Sequence, residues 1–505
     1  MLPILSSKDI SAWDQVTIAN EPIESKQLMF RAASRCASWI MDNFSDKNTT
    51  FHVFAGIGNN GGDALVIADV LNSNGYKTEV SIVNFSDQHS GDFNHYYDKL
   101  VKTKITIRDI HISSNFPEIV RDAIIIDGIF GIGLNRPAEG VARECIEFIN
   151  SLDAVVLSID APSGLSVDLN LMHQAQASVV NASHTLTFQV PKLGLILPDF
   201  GNCVGKLSLI DIGLDPNFIS EFESNLFWID SNYSYKDLFR RLKFSHKGTF
   251  GKVTIVAGQY GSMGASVLAT KAAVYSGAGL VTVVSPSCGL DVLQTAIPEA
   301  LCKVSGDKAI IDVPDMDARS VIAVGPGIGT EQKVEVMLHS VLKRAESPMV
   351  IDADALNILA KSENGLRMVP ANSVLTPHPK EFERLFGSQT NGKERLRVLQ
   401  AKAIEHQVYI VLKGAHSAMA TPNGRVYFNS TGNSGMATGG SGDVLTGLIA
   451  SFIAQTKNVE ASVICALYVH GYAADIAADN CGMHGLTPTR IIESIGSAMK
   501  TTLEE

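Results

Sequence analysis

The feature that most constrains this chain is a unit that recurs along it: a short β-branched run, a glycine-rich turn, then a segment of helical periodicity. Parallel strands joined by crossover helices read this way. A strand buried on both faces is apolar throughout, and its return path must be covered by a helix. In the first half the expected strands are residues 50–55, 78–83, 123–127, 154–160 and 185–190, preceded by a helical stretch over about 9–44. In the second half they are 252–257, 280–285, 320–324, 349–352, 373–376 and 408–413, followed by a hairpin across 421–423. The fold class expected is α/β, twice over.

A chain of 505 residues exceeds what one hydrophobic core usually organises. Between residues 215 and 245 it turns aromatic, charged and aperiodic (NFISEFESNLFWIDSNYSYKDLFRRLKF), as a linker packed on domain surfaces would. The expected layout is a domain over 1–222, a linker over 223–235 and a second domain over 236–505. The glycine loops of the two halves differ in spacing, so two different folds are expected rather than a duplication.

Composition excludes several classes. With 45% hydrophobic and 18% charged residues the chain is neither disordered nor fibrous. A formal charge of −11 disfavours nonspecific binding to nucleic acid or to anionic membranes, so neither is an expected partner. Seven cysteines without a C-x-x-C pair point to neither a disulfide framework nor a zinc site, and fit a reducing compartment. The N-terminus turns polar after a few residues and the apolar stretch 444–454 is too short to span a bilayer, so a cytoplasmic location is expected.

Three loops in the first half carry chemistry. FHVFAGIGNNGGDALVIADVL is a strand, a Gly/Asn loop and a helix opening near Gly61. Glycines permit close backbone approach to a ligand, and helix N-terminal amides attract anions. The motif lacks the Lys-Ser/Thr of a Walker loop and is not a full dinucleotide fingerprint. AIIIDGIFGIGLNRP and VVLSIDAPSGL end further strands at Asp127 and Asp160. The carboxyl ends of parallel strands share one edge, so the three loops should meet there. Asn60, Asp127 and Ser163 then offer hard oxygen ligands for a cation, and Asp160 is available for proton transfer. Each Asp alone also reads as a turn cap.

The second half holds the strongest signal: a strand and hairpin run into GMATGGSGDVLTGLIASFIA, a glycine-dense loop opening a long apolar helix. Gly439 to Asp443 gather backbone N–H groups about one point, a cradle for phosphate charge. Asp443, in the first turn, reads either as a helix-dipole partner or as a base that takes a hydroxyl proton during attack on a terminal phosphate. Substrate-pocket pieces follow other strands: GQYGSMGASVLA, VGPGIGT and LTPHPKEFERL, the last holding His378 between two prolines. Asp352 and Asp354 in VIDADALNIL read as buried or capping carboxylates, or as a magnesium or phosphate site.

Taken together, these motifs resemble the bifunctional NAD(P)H-hydrate repair enzymes, in which an epimerase domain is fused to an ADP-dependent dehydratase of the ribokinase-like superfamily. The resemblance spans nearly the whole chain. It rests on GIGNNGGDALVIA, DGIFGIGL, DAPSGL and PKLGLILPDFGNCVGKLSLIDIGL in the first half. In the second it rests on HKGTFGKVTIVAGQYGSMGAS, SGAGLVTV, VGPGIG, IDADALNIL, TPHPKEFERL, VLKGAHS and GMATGGSGDVLTGLI. It implies a Rossmann-like three-layer α/β sandwich followed by a ribokinase-like α/β domain.

The resemblance further implies that the first domain interconverts the R and S epimers of NADH and NADPH hydrated at the nicotinamide C5=C6 bond. The second would dehydrate the S form with magnesium and ADP, giving AMP and phosphate. Asn59, Asn60, Gly61, Gly62 and Asp63, with Gly131, Ile132, Gly133, Leu134, Asn135, Arg136 and Pro137, would contact the hydrate. Asp160 would sit at its reacting carbon, and Asn60, Asp127 and Ser163 would bind potassium. In the dehydratase, Ala265, Gly327 and His378 would bind substrate. Lys413, Gly414, Ala415, His416, Ser417 and Gly442 would bind ADP, and Asp443 would be the base. Homo-oligomeric assembly is also implied. Two departures from the family pattern, Ala64 after NNGGD and Ala161 in DAPSG, touch no proposed ligand. The rival readings are a ribokinase-like kinase of a small molecule, which leaves the first domain unexplained, and a noncatalytic nucleotide-binding first domain.

Overall fold

Apolar β-branched runs become parallel strands in both halves of the computed structural model, which describes residues 1–112, 115–169, 178–231, 233, 238–314 and 316–504. The chain divides into two compact units, Leu2–Ser224 and Asn225–Glu505, with Met1 grouped with the latter.

The first unit is a parallel sheet in the order Thr106–Ile110, Lys77–Val83, Thr50–Ala55, Ile124–Gly128, Val156–Ile159, His184–Phe188, Lys206–Ile210. Helices Ser7–Asn20, Ser25–Asn43 and Asn59–Ser73 cover one face around Phe51, Val53 and Ile126. Helix Gly140–Ser151 covers the other around Phe54, Ile125 and Cys145. Three layers result. The chain leaves Thr50–Ala55 toward one edge and returns at Ile124–Gly128 toward the other, so a crevice opens between the carboxyl ends of these two neighbours.

Three details differ from the sequence reading. The helical stretch over 9–44 is two helices, broken where Pro22 supplies no backbone donor. The strands Thr106–Ile110 and Lys206–Ile210 went unread because they are sheet edges, half-exposed and mixed in polarity (TIRDI, KLSLI). The helix after GIGNNGG opens at Asn59, not near Gly61.

In the second unit the strands run Leu226–Ile229, Val426–Asn429, Ala418–Ala420, Tyr409–Leu412, Val374–Leu375, Val350–Ile351, Ser320–Val324, Lys252–Val256, Leu280–Ser285, Leu301–Val304. All pairings are parallel except those of the hairpin strand Ala418–Ala420 with its two neighbours. The switch of direction falls between Lys252–Val256 and Ser320–Val324. The expected linker over 223–235 is corrected. Leu226–Ile229 is a strand whose Trp228 and Ile229 are buried, so the aromatic segment is sheet, not surface chain. Residues 232 and 234–237, at the end of that stretch, lie outside the described residues. The short strand Leu301–Val304 also went unread, being an exposed edge.

Helix Val459–Cys481 has the length and mean hydropathy (1.3) of a membrane span, yet 78% of its apolar window is buried inside the unit. It packs beside helices Ser441–Thr456 and Pro488–Glu504, and its apolarity serves as core. Gly447 permits the close contact of Ser441–Thr456 with helix Met263–Tyr275: a Cβ there would lie 2.0 Å from the Ala269 carbonyl oxygen.

Candidate active sites

The crevice of the first unit is a cavity of about 480 Å³, lined by Asn59, Asn60, Asp63, Gly131, Ile132, Gly133, Leu134, Asn135, Arg136 and Asp160 among the residues expected there. Its loops meet backbone to backbone. A Cβ on Gly56 would fall 2.1 Å from the Ile129 carbonyl oxygen, and one on Gly61 would fall 1.8 Å from that of Gly56. Gly61, Gly62 and Pro137 do not line the cavity. Gly61 and Gly62 are buried spacers, and a Cβ on Gly62 would strike the Met29 sulfur at 2.7 Å.

Asp127 and Ser163 lie outside the lining, fully buried. Register sets them there: Asp127 pairs with Phe54 on one side and Ser158 on the other. Its carboxylate accepts from Ser158 Oγ (2.7 Å), Ser163 N (2.9 Å), Ser163 Oγ (2.5 Å) and Ile129 N (3.3 Å). Burial pushes the Asp127 carboxyl above its ordinary range, and these hydrogen bonds pull it back. Near this cluster, Asn60 packs against Gly131, whose Cβ would lie 3.1 Å from the Asn60 oxygen, and the buried Asn60 Nδ2 has no hydrogen-bond partner.

Asp160 is buried and adopts a left-handed backbone (φ 63°), a conformation that short polar side chains tolerate better than most. Its Oδ1 receives Lys192 Nζ at 2.8 Å, with Phe188 N at 3.3 Å and Thr187 Oγ1 at 3.4 Å. Lys192 is fully buried and also donates to Thr187 Oγ1 and the Phe188 carbonyl. Sequence reasoning gave Lys192 no role, although a lysine inside the apolar run PKLGLIL was a signal. Asp63 is buried too, and burial, then Asp160, Asp14 and Asp92, push its carboxyl well up.

In the second unit Asp443 stands in the first turn of helix Ser441–Thr456, behind Gly440 in the left-handed region (φ 101°). Beneath it lies an ion pair: Lys413 Nζ binds Asp352 Oδ1 at 2.8 Å, and Thr446 Oγ1 donates to Asp352 Oδ2 at 2.7 Å. Gly442 adjoins this pair, since a Cβ there would lie 3.2 Å from Lys413 Nζ. Burial, then the charge of Asp352, push Asp443 up to about 7, with Lys413 opposing and Asp354 adding. Burial works against the charge on Lys413, but Asp352, Glu381 and Asp443 outweigh it and raise its pKa.

Other expected residues fall nearby. Asp354 accepts from Gly329 N at 2.9 Å, so it ties down the VGPGIGT loop. Ala265 and Gly327 adjoin: a Cβ on Gly327 would lie 3.1 Å from that of Ala265. His378 is the N-cap of helix Pro379–Phe386. Its Nδ1 accepts from Lys380 N and Glu381 N at 3.1 and 3.3 Å, and its Nε2 lies 3.3 Å from Glu381 Oε1. Burial, then Lys413, lower its pKa. Nδ1 of His378 is thus engaged by backbone amides of its own helix. In the Lys413–Ser417 turn, Gly414 N donates to Ser417 Oγ at 3.3 Å. The half-exposed His416 ring packs 5.0 Å from that of Trp228, with Nδ1 3.0 Å from the Asn429 carbonyl.

Residues 253–497 match the family described as NAD(P)H-hydrate dehydratase, and residues 25–194 match the family described as YjeF-related protein N-terminus. A bifunctional NAD(P)H-hydrate repair enzyme of Moorella thermoacetica is 31% identical over 522 residues, covering 99% of this chain and 97% of that protein. One from Thermofilum pendens is 33% identical, covering 90% and 88%. One from Escherichia coli is 30% identical, covering 93% and 88%. The ADP/ATP-dependent NAD(P)H-hydrate dehydratase of Bacillus subtilis, co-crystallised with ATP and Mg²⁺, is 31% identical with a TM-score of 0.47, covering 52% of this chain and 94% of that one. With both units accounted for along almost their whole length, the chain belongs to the family of bifunctional NAD(P)H-hydrate repair enzymes.

Proposed function

We propose that the first unit interconverts the R and S hydrates of NADH and NADPH at C6 and that the second restores NAD(P)H from the S form, consuming ADP and releasing AMP and phosphate. The observation that carries the second half is Asp443, a carboxyl raised to about 7 at the mouth of a glycine-rich helix N-terminus. A base must release its proton near the working pH, and the first amides of a helix have no intrahelical acceptor and face an anion. Asp443 takes the C6 hydroxyl proton as that oxygen attacks the terminal phosphate of ADP. The loop amides and Lys413 hold the developing charge. Phosphate then departs with loss of a C5 proton, closing the C5=C6 double bond, because a phosphate ester leaves far more readily than hydroxide.

Among the described residues no group of three His, Cys, Asp or Glu side chains is gathered to cage a metal. Magnesium would be held chiefly by the nucleotide's own phosphates, as that ion is at many phosphoryl-transfer sites, with Asp352 the carboxylate beside the loop and Asp443 left as the base. A potassium site fits the first unit. Among the described residues Asp127 is a fully buried carboxylate with no cation among its bonded partners, and Ser163 Oγ bridges it to the Phe130 carbonyl at 3.2 Å. An oxygen-rich, singly charged pocket suits a hard monovalent ion, which would anchor the two glycine loops around the hydrate. Asn60, Asp127 and Ser163 would hold it, and Asp160 would act at C6.

The same reading places the protein in the cytoplasm as a homo-oligomer, and its seven free cysteines suit a reducing compartment. The test is stoichiometry with S-NADH hydrate, magnesium and ADP. NADH, AMP and phosphate should appear in equal amounts. A stable phosphorylated product without NADH would establish a small-molecule kinase instead.

A further inference from the structure

The cavity of the first unit has one wall that no strand-end loop supplies. Helix Ser7–Asn20 contributes Ile10, Ser11 and Asp14 to the lining that also holds Asp63 and Asp160. Ile10, Trp13 and Thr17 are the buried positions of this helix, and Asp14 follows Ile10 by one helical turn. A carboxyl thus occupies an inward position in mid-helix. An aspartate there normally hydrogen-bonds nearby backbone, pairs with a cation or points to solvent. Asp14 caps nothing, and among the described residues its carboxyl has no hydrogen bond or ion pair. Burial, then the charge of Asp160, push it up to about 7, with Lys192 opposing.

Its neighbour across the chemistry is the reverse case. Asp160 is ion-paired to Lys192, and its hydrogen bonds from the described residues all end on Oδ1, leaving Oδ2 without a donor among them. Three carboxyls line the cavity: Asp160 is compensated by a buried ammonium, Asp63 is buried on helix Asn59–Ser73, and Asp14, without a partner among the described residues, is the more open to the cavity. A carboxyl held by an ammonium and a bare one facing the same space are placed to accept and to donate a proton.

We propose that Asp14 is the proton donor of the epimerisation and Asp160 the acceptor. The inference rests on the epimerase reading of this unit. Asp160 takes the C6 hydroxyl proton; the O–H pair forms C6=O, the C6–N1 bond breaks, and its electron pair on N1 takes the proton from Asp14. Rotation about C5–C6 turns the aldehyde over. Ring closure then returns the N1 proton to Asp14 and the Asp160 proton to oxygen, so nothing is consumed.

The test follows R/S interconversion of NADH hydrate by chromatography in the full-length protein, without nucleotide so that the second unit is idle. Asp14→Asn is expected to lower kcat about 100-fold or more while KM stays within about threefold. Asp14→Glu, which keeps the acid, should recover about tenfold of the loss. Asp14→Ser serves as the second variant should Asp14→Asn melt early. A rate for Asp14→Asn within about twofold of wild type, or a loss confined to KM, overturns the assignment. In that event Asp160→Asn, if still inactive, shows that the epimerase reading stands. Wild-type protein that leaves the R/S ratio unchanged removes the epimerase reading, and this proposal with it.

Discussion

Both units raise one carboxyl to about 7, but they do so in opposite settings. Asp443 sits at a helix N-terminus, where the backbone dipole favours the anion, so burial and the charges of Asp352 and Asp354 must work against that preference. Asp14 sits in mid-helix with no hydrogen-bond donor among the described residues and is raised chiefly by burial, with Asp160 adding and Lys192 opposing. The first setting suits a base whose product charge lies next to an anion cradle. The second suits an acid that gives its proton up and takes it back. Glycine loops mark both sites, but that of the first unit is completed by a helix that carries no motif.

The largest effect should come from Asp443→Asn, which loses dehydration by about 10²–10⁴-fold, the usual worth of a general base, while R/S interconversion stays at the wild-type rate. Equal slowing of both reactions would break the separation of the sites. Next come the lysines. Lys192→Met strands a buried carboxylate and should cost about 3–5 kcal/mol of stability, read in calorimetry as an earlier transition of the first unit alone. Lys413→Met should cost a comparable amount in the second unit, because the carboxylate it strands, Asp352, is 1% exposed against 9% for Asp160.

The pH profiles then sharpen the contrast. The base form of Asp443 is depleted below about pH 7, so dehydration should fall about tenfold per unit as pH drops below that point. The acid form of Asp14 is depleted above about pH 7, so epimerisation should fall as pH rises. Asp160, Asp63 and Lys192 face Asp14, while Asp352, Asp354 and Lys413 face Asp443. Initial rates of the two reactions between pH 5.5 and 8.5 (about the range set by these groups) decide it, and limbs in the same direction would count against the pairing. The smallest effect is that of Gly442→Ala, whose methyl must displace the flexible end of Lys413. At about 1 kcal/mol, it should weaken ADP binding roughly fivefold in a titration.

Much of this was legible in the sequence because glycine, Asp at strand ends and β-branched runs have local causes. GIGNNGGD, DGIFGIG and DAPSG converge because parallel strands end on one edge, and GGSGD opens a helix because Gly440 admits the left-handed backbone of its N-cap. What escaped has nonlocal causes. The edge strands Thr106–Ile110 and Lys206–Ile210 are half-exposed and show no apolar run. The strand Leu226–Ile229 was taken for linker because its order comes from Val426–Asn429, about 200 residues away in sequence. Asp14 carries no motif, and only the packing of its helix against the cavity gives it a role. Lys192 lay inside a recognised motif, but its partner Asp160 is 32 residues away.

The account's central claim is that two units in one chain repair both epimers. Its most direct test is near-ultraviolet absorbance of a mixed R/S NADH-hydrate preparation with the purified protein, magnesium and ADP. Full recovery of reduced-nicotinamide absorbance is expected, with Asp160→Asn halting near the S fraction initially present. A wild-type plateau at the S fraction would contradict epimerisation, and no recovery at all would contradict the dehydration assigned to the second unit.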